Sequence, residues 1–200
     1  MPDRITDQEL RDRFGLIERM ILEGRRKTES WGWTFVLWGV AYYVALAWSA
    51  FGRNAWAWPV TMLLAVFVTV AIASRKRARQ PETTLGRAMG SIWMALGVSI
   101  FLLFIALGVT ERLSDAHLFV AIIAAMLGMA NGASALILRW KIQFACAVVW
   151  WATSVAACFG SHTQTMIVFL AAIFLCQIVF GVYGMVIGRQ KPTRSQAIHA

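Results

Sequence analysis

Six runs of apolar residues, at about 33–51, 56–74, 91–109, 117–138, 142–160 and 165–187, contain no Asp, Glu, Lys or Arg. Each has close to the ~20 residues that a helix needs to cross a hydrocarbon layer ~30 Å thick. A soluble chain of 200 residues could not bury six such segments, and the composition agrees, with 59% hydrophobic and 14% charged residues and a mean hydropathy of +0.63. In lipid the backbone must satisfy its own hydrogen bonds, which leaves helices as the solution for segments of this length. The predicted fold class is all-α: a polytopic membrane protein of six transmembrane helices, in three in-out-in hairpins, preceded by a cytoplasmic amphipathic helix. The corresponding domains are residues 1–32, a membrane body over 33–188, and a basic tail over 189–200.

Charge placement predicts the orientation. Of the 19 Lys and Arg residues, 17 fall before the first run, between runs two and three, between runs four and five, or in the tail. The opposite side holds only Arg53 and Arg112. By the positive-inside rule, both termini are cytoplasmic and the number of crossings is even. The expected location is a bacterial-type inner membrane. The first thirty residues lack the continuous apolar core of a cleavable signal, so the first run is expected to serve as its own insertion signal. The net charge of +9 sits at the ends of apolar runs, where cations set topology, and no nucleic-acid partner is expected.

Residues 1–30 carry seven bases and seven acids. Thr6 and Glu9 have the spacing of a capping box, and Leu10, Phe14, Ile17 and Ile21 recur at four, three and four residues, so a helix with one apolar stripe is predicted, ending near Gly24. A helix attracted to anionic lipid carries a clear positive excess, and this one is neutral. The stripe is therefore read as a docking face for a helix of this chain, of a protein partner, or of a second copy.

The run His117–Leu138 draws attention for its small residues: Ala124, Gly128 and Gly132 at four-residue spacing, with Asn131 among them. Gly128 with Gly132, and Gly184 with Gly188, are expected to let helices approach closely. Measured from the inner ends of their runs, Tyr42, Ser99, Asn131 and Gln177 lie at similar depths, which predicts one intramembrane polar layer. Two readings of that layer stay open: hydrogen bonding between helices, or a pocket for a small neutral or zwitterionic ligand. Tyr43 and Ser134 are further polar residues in the same runs.

Catalysis finds little support. The spans hold no ionisable residue of the kind that proton relays and ion-coupled transporters use. Gly132-Ala133-Ser134-Ala135 is superficially similar to the G-x-S-G motif of rhomboid proteases, but it lacks the final glycine and a helix-six histidine base. Cys146, Cys158 and Cys176 all lie in apolar runs, and with His117 and His162 near the far ends they make no metal-binding pattern. No metal, no cofactor and no enzymatic activity are expected.

Six helices in about 200 residues, with Ala41-Tyr42-Tyr43-Val44-Ala45 as an A-x-x-x-A in the first, resemble the substrate-binding subunits of energy-coupling-factor transporters. The resemblance is architectural, and the charged amino-terminal segment departs from it. It implies binding or transport of a small solute. The leading expectation is instead an interaction, regulatory or accessory subunit of a membrane complex, with the lipid bilayer as its other partner.

Overall fold

The computed structural model describes residues 7–52, 56–77, 83–110 and 115–190, and all its elements are helical. They are α1 (Asp7–Ser30), α2 (Gly32–Gly52), α3 (Ala57–Arg77), α4 (Thr84–Val109), α5 (Ala116–Leu138), α6 (Lys141–Phe159), α7 (His162–Ile173), a π-helical stretch over Phe174–Val179, and α8 (Phe180–Gln190). Among the described residues, six helices are long and apolar enough to cross a membrane, the sixth being α7, the π stretch and most of α8 in one continuous run. Thr6, Arg53, Arg112 and the tail beyond Gln190 lie outside the described residues, and so do the expectations that rest on them.

The surface is inside out for a soluble protein. Leu63, Leu64 and Phe67 of α3, and Met94, Phe101 and Leu102 of α4, are all more than half exposed. Side chains of this kind suit a hydrocarbon solvent and would be an aggregation surface in water. These six helices make the chain a multi-pass membrane protein.

The most extensive packing in the bundle joins α5 and α6, which run antiparallel: Gly132 lies beside Ala147, and the Ser154 hydroxyl donates to the Ala121 carbonyl at 2.7 Å. Against this hairpin pack α7 and the π stretch, α2 packs on the π stretch and α8, α3 flanks α2, and α4 flanks α5. Of the six spans, α5 is the most buried and α4 the least. Short local devices end the helices. Asp115 caps α5, accepting from the Leu118 N–H at 3.1 Å. Arg139 takes a left-handed conformation (φ 49°) that stops α5 and turns the chain into α6. Ser161 and Gln164 form a reciprocal capping box at the start of α7.

Two boundaries differ from the sequence expectation. α1 continues past Gly24 to Ser30, and only Trp31 separates it from α2. Gly24 is instead a contact point, because a Cβ there would collide with the Leu85 side chain and come 2.9 Å from Leu138. α4 begins at Thr84, seven residues before the apolar run, since the exposed Arg87 is compatible with a helix that has already started at the Thr83 cap.

Candidate functional site

Aromatic contacts divide the bundle into two tiers. At the α1 end, Trp93, Phe35, Phe180 and Trp140 form a chain of rings with 5.2 Å between successive centroids. The Arg25 guanidinium sits 5.4 Å over the Trp140 ring, which ties α1 to this tier by a cation–π contact. Further along the helices Trp150, Phe169, Tyr42, Trp58 and Phe119 form a second chain, with centroids 6.0 to 6.2 Å apart. Phe35 and Tyr42 are two helical turns apart on α2, so the tiers are separated by about 10 Å.

Between the tiers lies a buried layer of polar and small side chains. Gln143 and Cys146 come from α6, Ser134 and Asn131 from α5, and Cys176 and Gln177 from the π stretch. Gln143 and Ser134 are fully buried, and Asn131 is 1% exposed. Their facing follows from period: 131 and 134 share one face of α5, and 143, 146 and 150 share one face of α6.

The sixth span needs its π stretch to contribute. Its buried pairs, Ala172 with Ile173, Cys176 with Gln177, and Phe180 with Gly181, recur every fourth residue. A regular helix of about 3.6 residues per turn would rotate such a stripe off the interface, whereas a wider turn keeps it facing the core. Gln177 and Cys176 are thereby held inward, with the Cys176 Sγ 3.6 Å from the Cys146 carbonyl.

The hydrogen bonding of the layer is incomplete. The Asn131 Nδ2 donates back to its own helix, to the Leu127 carbonyl at 2.9 Å. Its Oδ1 has no partner, nor do the Ser134 Oγ, both amide atoms of Gln143 and the Trp150 Nε1. Folded proteins leave few such atoms unpaired, so five of them, on four side chains of two adjacent helices, form an unusual concentration.

The sequence-predicted residues distribute unevenly over this geometry. Tyr42, Asn131 and Gln177 are buried, Tyr42 in the second aromatic tier. Asn131 and Gln177 are not hydrogen-bonded to each other. Ser99 corrects the expectation: it is exposed on the outer face of α4 and takes no part in the layer. Equal depth along a helix does not fix which way the residue points. Tyr43 serves the scaffold, its hydroxyl donating to the Leu170 carbonyl at 2.8 Å. Gln143 escaped notice because it lies close to a helix end, where polar residues ordinarily meet headgroups; its period with Cys146 and Trp150 was the available signal.

Among the glycines, Gly128 and Gly132 lie beneath the Trp151 indole, where Cβ atoms would come 2.5 Å from Nε1 and 2.9 Å from Cη2. The tightest backbone crossing is elsewhere, between α2 and α8: a Cβ on Gly32 would fall 2.6 Å from the Gly181 oxygen, and one on Gly181 2.7 Å from the Gly32 oxygen. Gly184 and Gly188, expected to mediate close packing, would accept a Cβ at an ordinary 3.6 Å.

Two surface features complete the picture. His117 and His162 meet at the end far from α1, with ring centroids 6.2 Å apart. The His117 Nδ1 is 3.0 Å from the Ala157 carbonyl and 3.1 Å from the Thr165 hydroxyl, joining the ends of α5, α6 and α7. Among the described residues no three His, Cys, Asp or Glu side chains form a group that could hold a metal. In α1, Leu10, Phe14 and Ile17 are exposed at 40%, 68% and 53%, while Ile21 is half-buried and Gly24 buried. No protein-family model, curated protein or solved structure matches this chain.

Proposed function

We propose that this protein is an integral inner-membrane accessory or regulatory subunit, with both termini in the cytoplasm, that engages an amphipathic helix of a partner protein through the outer half of α1. The observation that carries the reading is the divided use of one stripe. At its membrane-proximal end Ile21 is half-buried and Gly24 lies against Leu85 and Leu138, whereas its outer part, Leu10, Phe14 and Ile17, is open. The 4-3-4 spacing is that of a helix that pairs with another helix. Acids and bases balance around it, and the Glu9–Arg13 pair at 2.6 Å holds one of each sign on the helix surface. Such a face favours a helical protein partner over an anionic lipid surface. The near continuity of α1 with α2 would keep the arm fixed relative to the membrane body. Seventeen bases against two supports the cytoplasmic assignment.

Photo-crosslinking tests this directly. A benzoylphenylalanine placed at Phe14 in native membranes is expected to give an adduct with one distinct protein, and the same probe at Asp12, on the opposite face, is not. An adduct of twice the chain's own mass, a lipid adduct, or equal labelling from both positions would each overturn the reading.

A further inference from the structure

The polar layer between the two aromatic tiers carries an inference independent of the α1 arm. We infer that Gln143, Ser134, Asn131 and Trp150 form a binding site for a small neutral molecule bearing both a carbonyl and an N–H, of the carboxamide or nucleobase type.

The inventory of unpartnered atoms sets the ligand's chemistry. Trp150 offers one N–H donor and the Gln143 Nε2 offers two more, so the ligand must present an acceptor. The Asn131 Oδ1 and Gln143 Oε1 accept only, so it must also present a donor. Ser134 can serve either role. All four residues are at most 1% exposed, and α6, which carries two of them, packs on both α7 and the π stretch of the sixth span. No charged side chain lies in the layer to balance an ionic ligand, and a formal charge at this depth would be left unpaired. Along the helices the two aromatic tiers flank the layer, with Trp150 at the edge of the second, and apolar surroundings are the setting in which a few directed hydrogen bonds fix a small molecule's orientation. The π stretch that holds Gln177 and Cys176 to the same layer is a second sign, since single π turns inside helices are frequent at functional sites.

The test uses the full chain in lipid nanodiscs and two matched probe pairs, uracil against orotate and benzamide against benzoate, with binding read by equilibrium dialysis of the radiolabelled compound. The expected result is saturable binding of uracil or benzamide, with no measurable binding of the acid from the same pair. Gln143→Met should then weaken the bound neutral probe at least tenfold, and Asn131→Leu should weaken it as well, with elution and helical content unchanged. Absence of saturable binding for both neutral probes, or equal binding of a neutral probe and its acid, would overturn the inference. So would wild-type affinity in a folded Gln143→Met protein. If either variant fails to fold, the discrimination between neutral and charged probes by the wild-type protein decides alone.

Discussion

Replacing Gly181 by Ala puts the α2/α8 crossing under strain that no rotamer change relieves. The new Cβ would lie 2.7 Å from the Gly32 carbonyl oxygen and 3.0 Å from the Val36 nitrogen, both backbone atoms. Ordinary contact begins near 3.4 Å, so the helices must separate by roughly 0.7 Å or α8 must slide. Overpacking of this kind costs ~1–3 kcal/mol, while Gly to Ala inside a helix returns up to ~1 kcal/mol of backbone entropy. The matched control is Gly184→Ala, one turn along α8, where the Cβ meets its nearest atom at 3.6 Å. Because the helix-propensity gain is nearly common to both, the difference between the two variants isolates the steric cost, and Gly181→Ala should be the less stable by about 1–3 kcal/mol. Reversible unfolding in mixed detergent and SDS micelles reads this difference. Equal stabilities, or a greater loss at Gly184, would refute the close-crossing argument.

Other perturbations probe the remaining parts. Trp151→Ala uncovers Gly128 and Gly132 while the outer side of the indole is already 39% exposed, so the loss should be about 2 kcal/mol, less than the ~3–5 kcal/mol for a fully buried ring; the same unfolding assay measures it. Gln143→Met in ligand-free protein removes an amide with no partner and should leave stability unchanged or raise it by up to ~1–3 kcal/mol, and a clear loss would mean that the amide is satisfied. Phe14→Asp with Ile17→Asp should shift the unfolding of the membrane body by less than ~0.5 kcal/mol, because both side chains are exposed on the arm, yet abolish the crosslinked adduct.

The sequence made the spans legible because an uninterrupted apolar run has one solution in lipid, and the helices follow those runs closely. Azimuth was harder to read. In a membrane helix the lipid-facing side is as apolar as the core-facing one, so Ser99 and Asn131 looked equivalent although one is exposed and the other 1% exposed. Glycines misled for a related reason. Gly24 resembled a helix end and is a contact point, and the pair Gly184 and Gly188 has room to spare while Gly32 and Gly181, 149 positions apart, do not. Trp38-Gly39-Val40-Ala41 and Leu96-Gly97-Val98-Ser99 look alike, yet a Cβ on Gly39 would press on Gln177 at 2.9 Å and one on Gly97 would meet nothing. The π stretch had no local signature at all, since it answers to the packing of a neighbour rather than to propensity.

The central claim is that six crossings present α1 to the cytoplasm, where a partner can reach it. Single cysteines at Asp12 in α1 and at Gln164 in the first turn of α7, in a chain freed of Cys146, Cys158 and Cys176, test it with a membrane-impermeant thiol reagent. The account predicts that Gln164→Cys is labelled in intact spheroplasts and Asp12→Cys only in inverted vesicles; labelling of both from the same side would contradict it.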